Sequence, residues 1–236
     1  FFEDQKSIFD GFAHQYFSYS APTSLGKSYV MRVFIKENII KGSTCNFAIV
    51  VPTKALINEI RSKILADLGK DLMQASNYKV VTSSSDLLLE QDHNFIFIMT
   101  PERFIYLMNT TGHKVEYLFI DEAHKISTKD TRSPLYYELV DKISELEPKP
   151  HIIFSSPNIP NPEEYLRLVP DEEGKNNKRT TYAPVCQMKY LIDLKDGVVK
   201  AYNDYSHKFI KMGNASSRLN LTSLIHHVIN PDEQNI

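Results

Sequence analysis

Along the first two thirds of the chain, short apolar runs alternate with longer stretches in which apolar residues recur every three or four positions. The runs YFSYSA (16–21), CNFAIVV (45–51), YKVVTS (78–83), NFIFIMT (94–100), YLFIDEA (117–123) and HIIFSS (151–156) predict strands. Several are apolar at consecutive positions, the pattern of strands covered on both faces. Between them, TKALINEIRSKILADLG (53–69) sets Leu56, Ile57, Ile60, Ile64 and Leu68 on one helical stripe. Gly69 follows as a C-cap, since glycine takes the left-handed conformation that closes a helix. Strands alternating with helices predict an α/β fold, a three-layer, doubly wound, mainly parallel sheet with helices on both faces.

The texture changes near residue 170. DEEGKNNKRTTYAP (171–184) is polar and turn-rich and predicts an exposed connection, after which VCQMKYLIDL (185–194) reads as a strand. Residues 1–180 read as one domain and 181–236 as an extension. With 236 residues, 42% of them hydrophobic, the chain has enough apolar surface for a sizeable core. A net charge of −2 excludes a uniformly basic surface, so any nucleic-acid contact must be local. Cys45 and Cys186 form no Cys-x-x-Cys pair, and His226 and His227, being adjacent, point apart on a helix and make no metal pair. The apolar runs are strand-sized, too short for a membrane span. The chain opens on Phe1-Phe2 without an initiator Met and so reads as a fragment.

The stretch SAPTSLGKS (20–28) lies between a predicted strand and a helix, the setting a phosphate-binding loop requires. Such a loop reads Gly-x-x-x-x-Gly-Lys-Ser/Thr, and Ala21 stands at the first glycine, where a small residue suffices to end the strand. In that geometry the backbone N–H groups of Thr23, Ser24, Leu25 and Gly26 curl round phosphate oxygens at a helix N-terminus. Gly26 permits close approach, Lys27 reaches the β and γ phosphates, and Ser28 ligands Mg²⁺. Taken alone, the loop also reads as a Ser/Gly turn with a solvated lysine. The run YLFI then leads into Asp121-Glu122. Ligands of open parallel sheets sit at the carboxyl ends of strands, so these acids and the loop can face one set of phosphates. Asp121 would hold Mg²⁺ through water, and Glu122 would orient and deprotonate an attacking water. The plainer alternative is a pair of acids capping the next helix. Together, loop and acid pair favour a nucleotide hydrolase.

With VPTKAL (51–56), TPERF (100–104), DEAH (121–124) and SSPNIPNPEEYL (155–166), the chain resembles the first RecA-like domain of superfamily 2 DEAD/DEAH-box helicases over residues 1–170. The resemblance implies a RecA-like P-loop NTPase fold, ATP and Mg²⁺ as cofactors, and single-stranded or duplex nucleic acid as partner. Alanine at the start of the loop is ordinary in that superfamily. Gln5 resembles the glutamine that reads the adenine edge, an exposed helix glutamine being the other reading. Pro52, Thr53 and Lys54 resemble motif Ia, and Thr100, Pro101 and Glu102 a later element. In these helicases both touch the sugar-phosphate backbone of one strand. A helix N-terminus suits that role, although the same residues also serve as plain helix caps. His124 resembles the histidine that couples the nucleotide site to motif III, and it is not taken as a metal ligand. Motif III, usually Ser-Ala-Thr, reads Ser155-Ser156-Pro157, so the third hydroxyl is missing and the coupling of hydrolysis to strand movement is the point of departure. NIPNPEEYLRLV (158–169) and APVCQMKYLIDL (183–194) resemble the Ski-type and Lhr-type branch.

The resemblance further implies a second RecA-like domain carrying an arginine finger. SSRLN (216–220) is too slight to serve as one. The chain is therefore expected to be the N-terminal half of a helicase or translocase of the cytoplasm or, in a eukaryote, the nucleus. The alternative is a non-catalytic nucleotide-sensing or nucleic-acid-binding scaffold with an altered motif III; a nucleotide kinase would lack this motif set. By itself the chain is expected to bind ATP weakly and hardly hydrolyse it. Nucleic-acid-stimulated phosphate release by the isolated chain would contradict that expectation.

Overall fold

The computed structural model describes residues 2–83, 93–127, 133–170, 173–183, 190–193, 195–203, 206 and 208–214. The chain divides into two compact units, Phe1–Pro184 and Val185–Ile236. The first unit is built on strands β1 (Tyr16–Ser20), β2 (Phe47–Val50), β3 (Tyr78–Val81), β4 (Asn94–Met99), β5 (Tyr117–Ile120), β6 (His151–Ser156) and β7 (Lys175–Arg179). They form one sheet of order β3-β4-β2-β5-β6-β1-β7 in which every neighbouring pair is parallel.

Helices α1 (Glu3–Gly11), α2 (Lys27–Ile40) and α3 (Lys54–Ala75) cover one face, and α4 (Pro101–Thr111) and α5 (Ser133–Ser144) the other. The division follows from the period of two along each strand. Phe17, Tyr19, Phe47, Ile49, Phe119 and Ile153 pack with Ile8, Phe34 and the α3 stripe Ile57, Ile60 and Ile64. Their neighbours Ala48, Val50, Leu118, Ile120, Ile152 and Phe154 pack with Phe104 of α4 and Tyr136, Leu139 and Ile143 of α5. The strands are apolar at successive positions because both faces are buried. The predicted three-layer, doubly wound α/β fold is therefore the observed one.

Gly69 interrupts α3 as expected: it takes φ 69° and ψ 163°, in the left-handed region that favours glycine, and a second helical stretch follows it to Ala75 across the kink. Leu72 and Met73 beyond the kink pack on the same apolar cluster, which holds that added turn in place. Two local expectations are corrected. The polar segment 171–184 is not merely a connection, because KNNKR within it forms β7 at the sheet edge. Its register, Tyr16↔Lys175 to Ser20↔Arg179, comes from backbone pairing with β1 and polar side-chain contacts, and an edge strand needs no apolar alternation. The predicted strand 117–123 stops at Ile120, which leaves the acids in the turn that follows.

The second unit contains strands β8 (Tyr190–Ile192), β9 (Val198–Asn203) and β10 (Lys208–Asn214), antiparallel in the order β10-β9-β8. Cys186, His226, His227 and the segment 216–220 lie outside the described residues. No helix among the described residues is long and apolar enough to cross a membrane.

An aromatic cluster joins the sheet to α1 and α2. Phe119 meets Phe12 edge-on at 5.3 Å and Phe34 at 6.1 Å between ring centroids. Phe119→Ala should cost about 3–5 kcal/mol, read as a lower urea midpoint at unchanged m-value. A loss below about 1 kcal/mol would mean that this cluster carries little of the core's stability.

Candidate functional site

The sheet order places β5, β6 and β1 side by side, with β6 in the middle. Register then aligns their carboxyl ends: Ile120 pairs with Phe154, Tyr19 with Ser155 and Ser20 with Ser156. The segments that follow β5 and β1 are 121–124 and 21–28, so three of the predicted motifs meet at one edge.

After β1 the chain turns at buried Ala21, makes a 3-10 turn at Thr23–Leu25 and enters α2 through Gly26. Gly26 has φ 79° and ψ 42°, a left-handed conformation that side chains resist. A Cβ there would make only ordinary contact, 3.4 Å from Gln5 Nε2, so it is the backbone conformation that calls for glycine. Thr23 is exposed, Ser24 and Ser28 are half-buried, and Leu25 turns its side chain into the core. The Leu25 N–H donates to Pro22 O at 3.1 Å and the Gly26 N–H to Thr23 O at 3.4 Å. Lys27 is only 5% exposed and donates from Nζ to Ala21 O at 3.1 Å. The solvated-lysine reading of the loop is thereby set aside.

Gln5 is also buried, not an exposed helix glutamine. Its Nε2 donates to Leu25 O at 2.8 Å, and its Oε1 accepts the Phe2 N–H at 3.1 Å. These bonds use one amide hydrogen and one lone pair, which leaves one of each. The side chain is thus fixed beside the loop with capacity to spare.

Asp121 follows β5, its N–H donating to Val50 O at 2.9 Å, and its side chain is 6% exposed. Its Oδ1 accepts the Glu122 N–H at 3.0 Å. Burial and the neighbouring Glu122 carboxyl raise the Asp121 pKa, while the Ser155 hydroxyl, the Glu122 N–H and Lys27 oppose the rise. Burial lowers the Lys27 pKa, and Glu122 and Asp121 pull it back up. Glu122 itself is held at φ 54°, uncommon for a residue with a side chain and a mark of local constraint. His124, in the 3-10 turn Ala123–Ser127, brings Nδ1 to 3.0 Å from Glu122 Oε2 without hydrogen-bond alignment. Burial lowers its pKa, with Glu122 opposing. The Ser156 hydroxyl is buried and without a hydrogen-bond partner among the described residues, and the buried Ser155 hydroxyl lies close enough to Asp121 and Tyr19 to act on both without a well-aligned hydrogen bond.

The other two motifs stand further along the same edge, at the ends of β2 and β4, which pair with each other. Pro52 is buried, and Thr53 N-caps α3 by accepting the Leu56 N–H at 3.3 Å, with Lys54 exposed behind it. Thr100 precedes α4 with Pro101 at its first position and Glu102 in its first turn, and its hydroxyl makes no cap. Two helix N-termini therefore lie beside each other. A cavity of about 390 Å³ lined by Cys45, Tyr117 and His151 opens at the opposite, amino end of the strands and includes none of these residues.

Sequence reasoning missed the polar groups of β1 itself. Ser18 and Ser20 are fully buried and point to the face opposite Tyr19. The Ser18 hydroxyl donates to Pro162 O at 2.6 Å. Burial raises the Tyr19 pKa, with the Ser155 hydroxyl opposing and Asp121 adding to the rise. The signal was present in YFSYS, where two serines two positions apart interrupt an otherwise aromatic strand. Asp4 was missed too: it accepts from the Thr180 hydroxyl at 2.6 Å and lies 3.5 Å from Lys178 Nζ, tying α1 to β7.

A fold with these motifs at one sheet edge is that of a helicase motor domain, and the chain belongs to the DEAD/DEAH box helicase family, whose model matches residues 3–165. No curated protein matches the chain by sequence. Among solved structures it is similar to the DUF1998 helicase MrfA bound to DNA, with TM-score 0.59 and 19% identity over 78% of this chain and 27% of that one. It is similar to Mss116p bound to ssRNA and AMP-PNP, with TM-score 0.54 and 18% identity over 71% of this chain and 36% of that one. The helicase domain of Pyrococcus furiosus Hef is similar at TM-score 0.53 and 15% identity, over 75% of this chain and 38% of that one. At such identities the likeness is one of fold. The chain spans well under half the length of each of these structures.

Because the Asp121 pKa is raised by folding, ionising its carboxyl weakens the fold. The penalty is absent below the unfolded-state pKa and complete above the folded-state one. Asp121→Asn should therefore raise the Tm at neutral pH, and the gain should shrink as pH falls through the carboxylate range. A gain independent of pH in a calorimetric series would place the effect elsewhere.

Proposed function

We propose that the first unit is the ATP-binding motor half of a nucleic-acid helicase or translocase, which acts when joined to a second RecA-like domain. The observation that carries the reading is the convergence of the loop 21–28, Asp121-Glu122 and Ser155 at the carboxyl ends of three adjacent parallel strands. A buried carboxylate and a buried ammonium within electrostatic reach of each other form a costly arrangement that a phosphate-metal ligand would satisfy.

In this reading Thr23, Ser24, Leu25 and Gly26 offer N–H groups to phosphate oxygens, which compete with the weak internal bonds of the 3-10 turn. Lys27 exchanges Ala21 O for the β and γ phosphates. Gln5 uses its remaining amide hydrogen and lone pair on the adenine edge. Ser28 and, through water, Asp121 would hold Mg²⁺, which supplies positive charge against the phosphates when bound. Glu122 takes a proton from the attacking water onto its carboxylate, and His124 beside it orients that carboxylate. Pro52, Thr53, Lys54, Thr100, Pro101 and Glu102 face the sugar-phosphate backbone of a nucleic-acid strand from two adjoining helix N-termini, without reading sequence. His124, Ser155 and Ser156 link the two ligand sites. Residues 1–180 are the motor domain, and 181–236 extend toward its partner domain. Pro157 favours a second reading, a nucleotide-sensing scaffold without turnover.

ATP hydrolysis by the full-length protein, measured with single-stranded RNA, with DNA and with neither, separates the two. Glu122→Gln should lower the stimulated rate about 10²- to 10⁴-fold while nucleotide binding persists. Equal rates for Glu122→Gln and wild type would remove the base assignment, and a wild type without turnover would leave the scaffold.

A further inference from the structure

We infer that Ser20 is a positioning residue that clamps the segment after β6 to the start of the nucleotide loop, so that the loop and the surface facing His124 move together. The inference rests on the motor reading above.

Ser20 is the last residue of β1, fully buried, and directly precedes Ala21. Its hydroxyl accepts the Ile159 N–H at 2.8 Å and lies 2.8 Å from Pro157 O and 2.9 Å from Ile159 O, its single proton shared between the two carbonyls. The segment it grips, between β6 and the 3-10 turn Pro162–Arg167, has no regular structure of its own. Pro157 brings neither an N–H nor a hydroxyl to this segment, so the polar contacts come from the neighbouring strand. The Ala21 N–H donating to Ser156 O at 3.2 Å adds a second tie at the same level.

The gripped segment is also a wall. A cavity of about 400 Å³ is lined by Ile159, Pro160, Asn161 and Glu164 on one side and His124 and Ser127 on the other. His124 Nδ1 is 3.0 Å from Glu122 Oε2. Ser20 therefore joins the backbone of Ala21, where the phosphate loop begins, to the segment that lines this cavity together with the histidine beside the proposed base. A displacement of the loop is carried to that wall through well-formed hydrogen bonds in a partly buried setting. This adds, from β1, a polar tie to the segment where Pro157 brings no hydroxyl.

Ser18 provides the control. It is equally buried on the same face of the same strand, and its hydroxyl also reaches the wall segment, at Pro162 O, but it touches neither Pro157 nor Ile159 and does not adjoin Ala21. In the full-length protein, Ser20→Ala should lower the nucleic-acid-stimulated kcat about tenfold or more, with the KM for ATP and the unstimulated rate within about twofold of wild type. Ser20→Cys, which keeps the volume and weakens the bonds, should fall between, and Ser18→Ala should leave stimulation unchanged. If Ser20→Ala does not fold, Ser20→Cys carries the test, and wild-type stimulation in it overturns the proposal. Normal stimulation in Ser20→Ala, or the same loss in Ser18→Ala, overturns it as well. A wild type with no hydrolysis sensitive to Glu122→Gln means that the motor reading has failed, and the role of Ser20 with it; Glu122-dependent hydrolysis with normal Ser20→Ala means that only the clamp has failed.

Discussion

Strand β6 is hydrogen-bonded to β5 on one side and to β1 on the other, and this double parallel registration sets the geometry of the whole functional edge. Parallel pairing allows no tight hairpin, so strands distant in sequence must be brought together by crossover helices and then locked in register by burial on both faces. Once Tyr19 is opposite Ser155 and Ile120 opposite Phe154, the segments after β1 and β5 have nowhere to go but the same edge. A one-residue slip would turn Tyr19 and Ser155 to the wrong faces and separate the groups that now crowd Asp121.

That crowding is stabilised from elsewhere. Asp121 and Lys27 are both withdrawn from water, Glu122 sits in the left-handed region, and the buried Ser156 hydroxyl of β6 is without a hydrogen-bond partner among the described residues. None of these features helps the chain fold. The apolar layers on either side of the sheet, with Phe12, Phe34 and Phe119 meeting edge-on beneath the loop, hold them in place. Strain and desolvation are thus concentrated at the carboxyl ends of these strands over a well-packed core, the pattern on which the proposed ligand site rests.

Much of this was legible in the chain. Consecutive apolar residues in AIVV and FIFIM announced strands covered on both faces, and SAPTSLGKS and DEAH announced the family now shown by its model. What was not legible fell into two kinds. Strand β7 has no apolar pattern, because an edge strand made of Lys, Asn and Arg is defined by backbone pairing that side-chain hydropathy does not report. The helical turn after Gly69 is the other: the glycine breaks the helix as its type suggests, and only packing of Leu72 and Met73 on the apolar cluster makes the chain helical again beyond it.

The sequence by itself determined which residues could carry chemistry and the order in which they occur, since motif identity depends on residue type and spacing. It also determined the layers, since hydrophobic period depends on local geometry. Only the tertiary structure decided that Lys27 is buried instead of solvated, that Gln5 is pinned to Leu25, and that the serine opening SAPTSLGKS grips Pro157 and Ile159. Those facts depend on which strand lies next to which. Contacts between residues more than a hundred positions apart are set by sheet order, and no local pattern along the chain contains it.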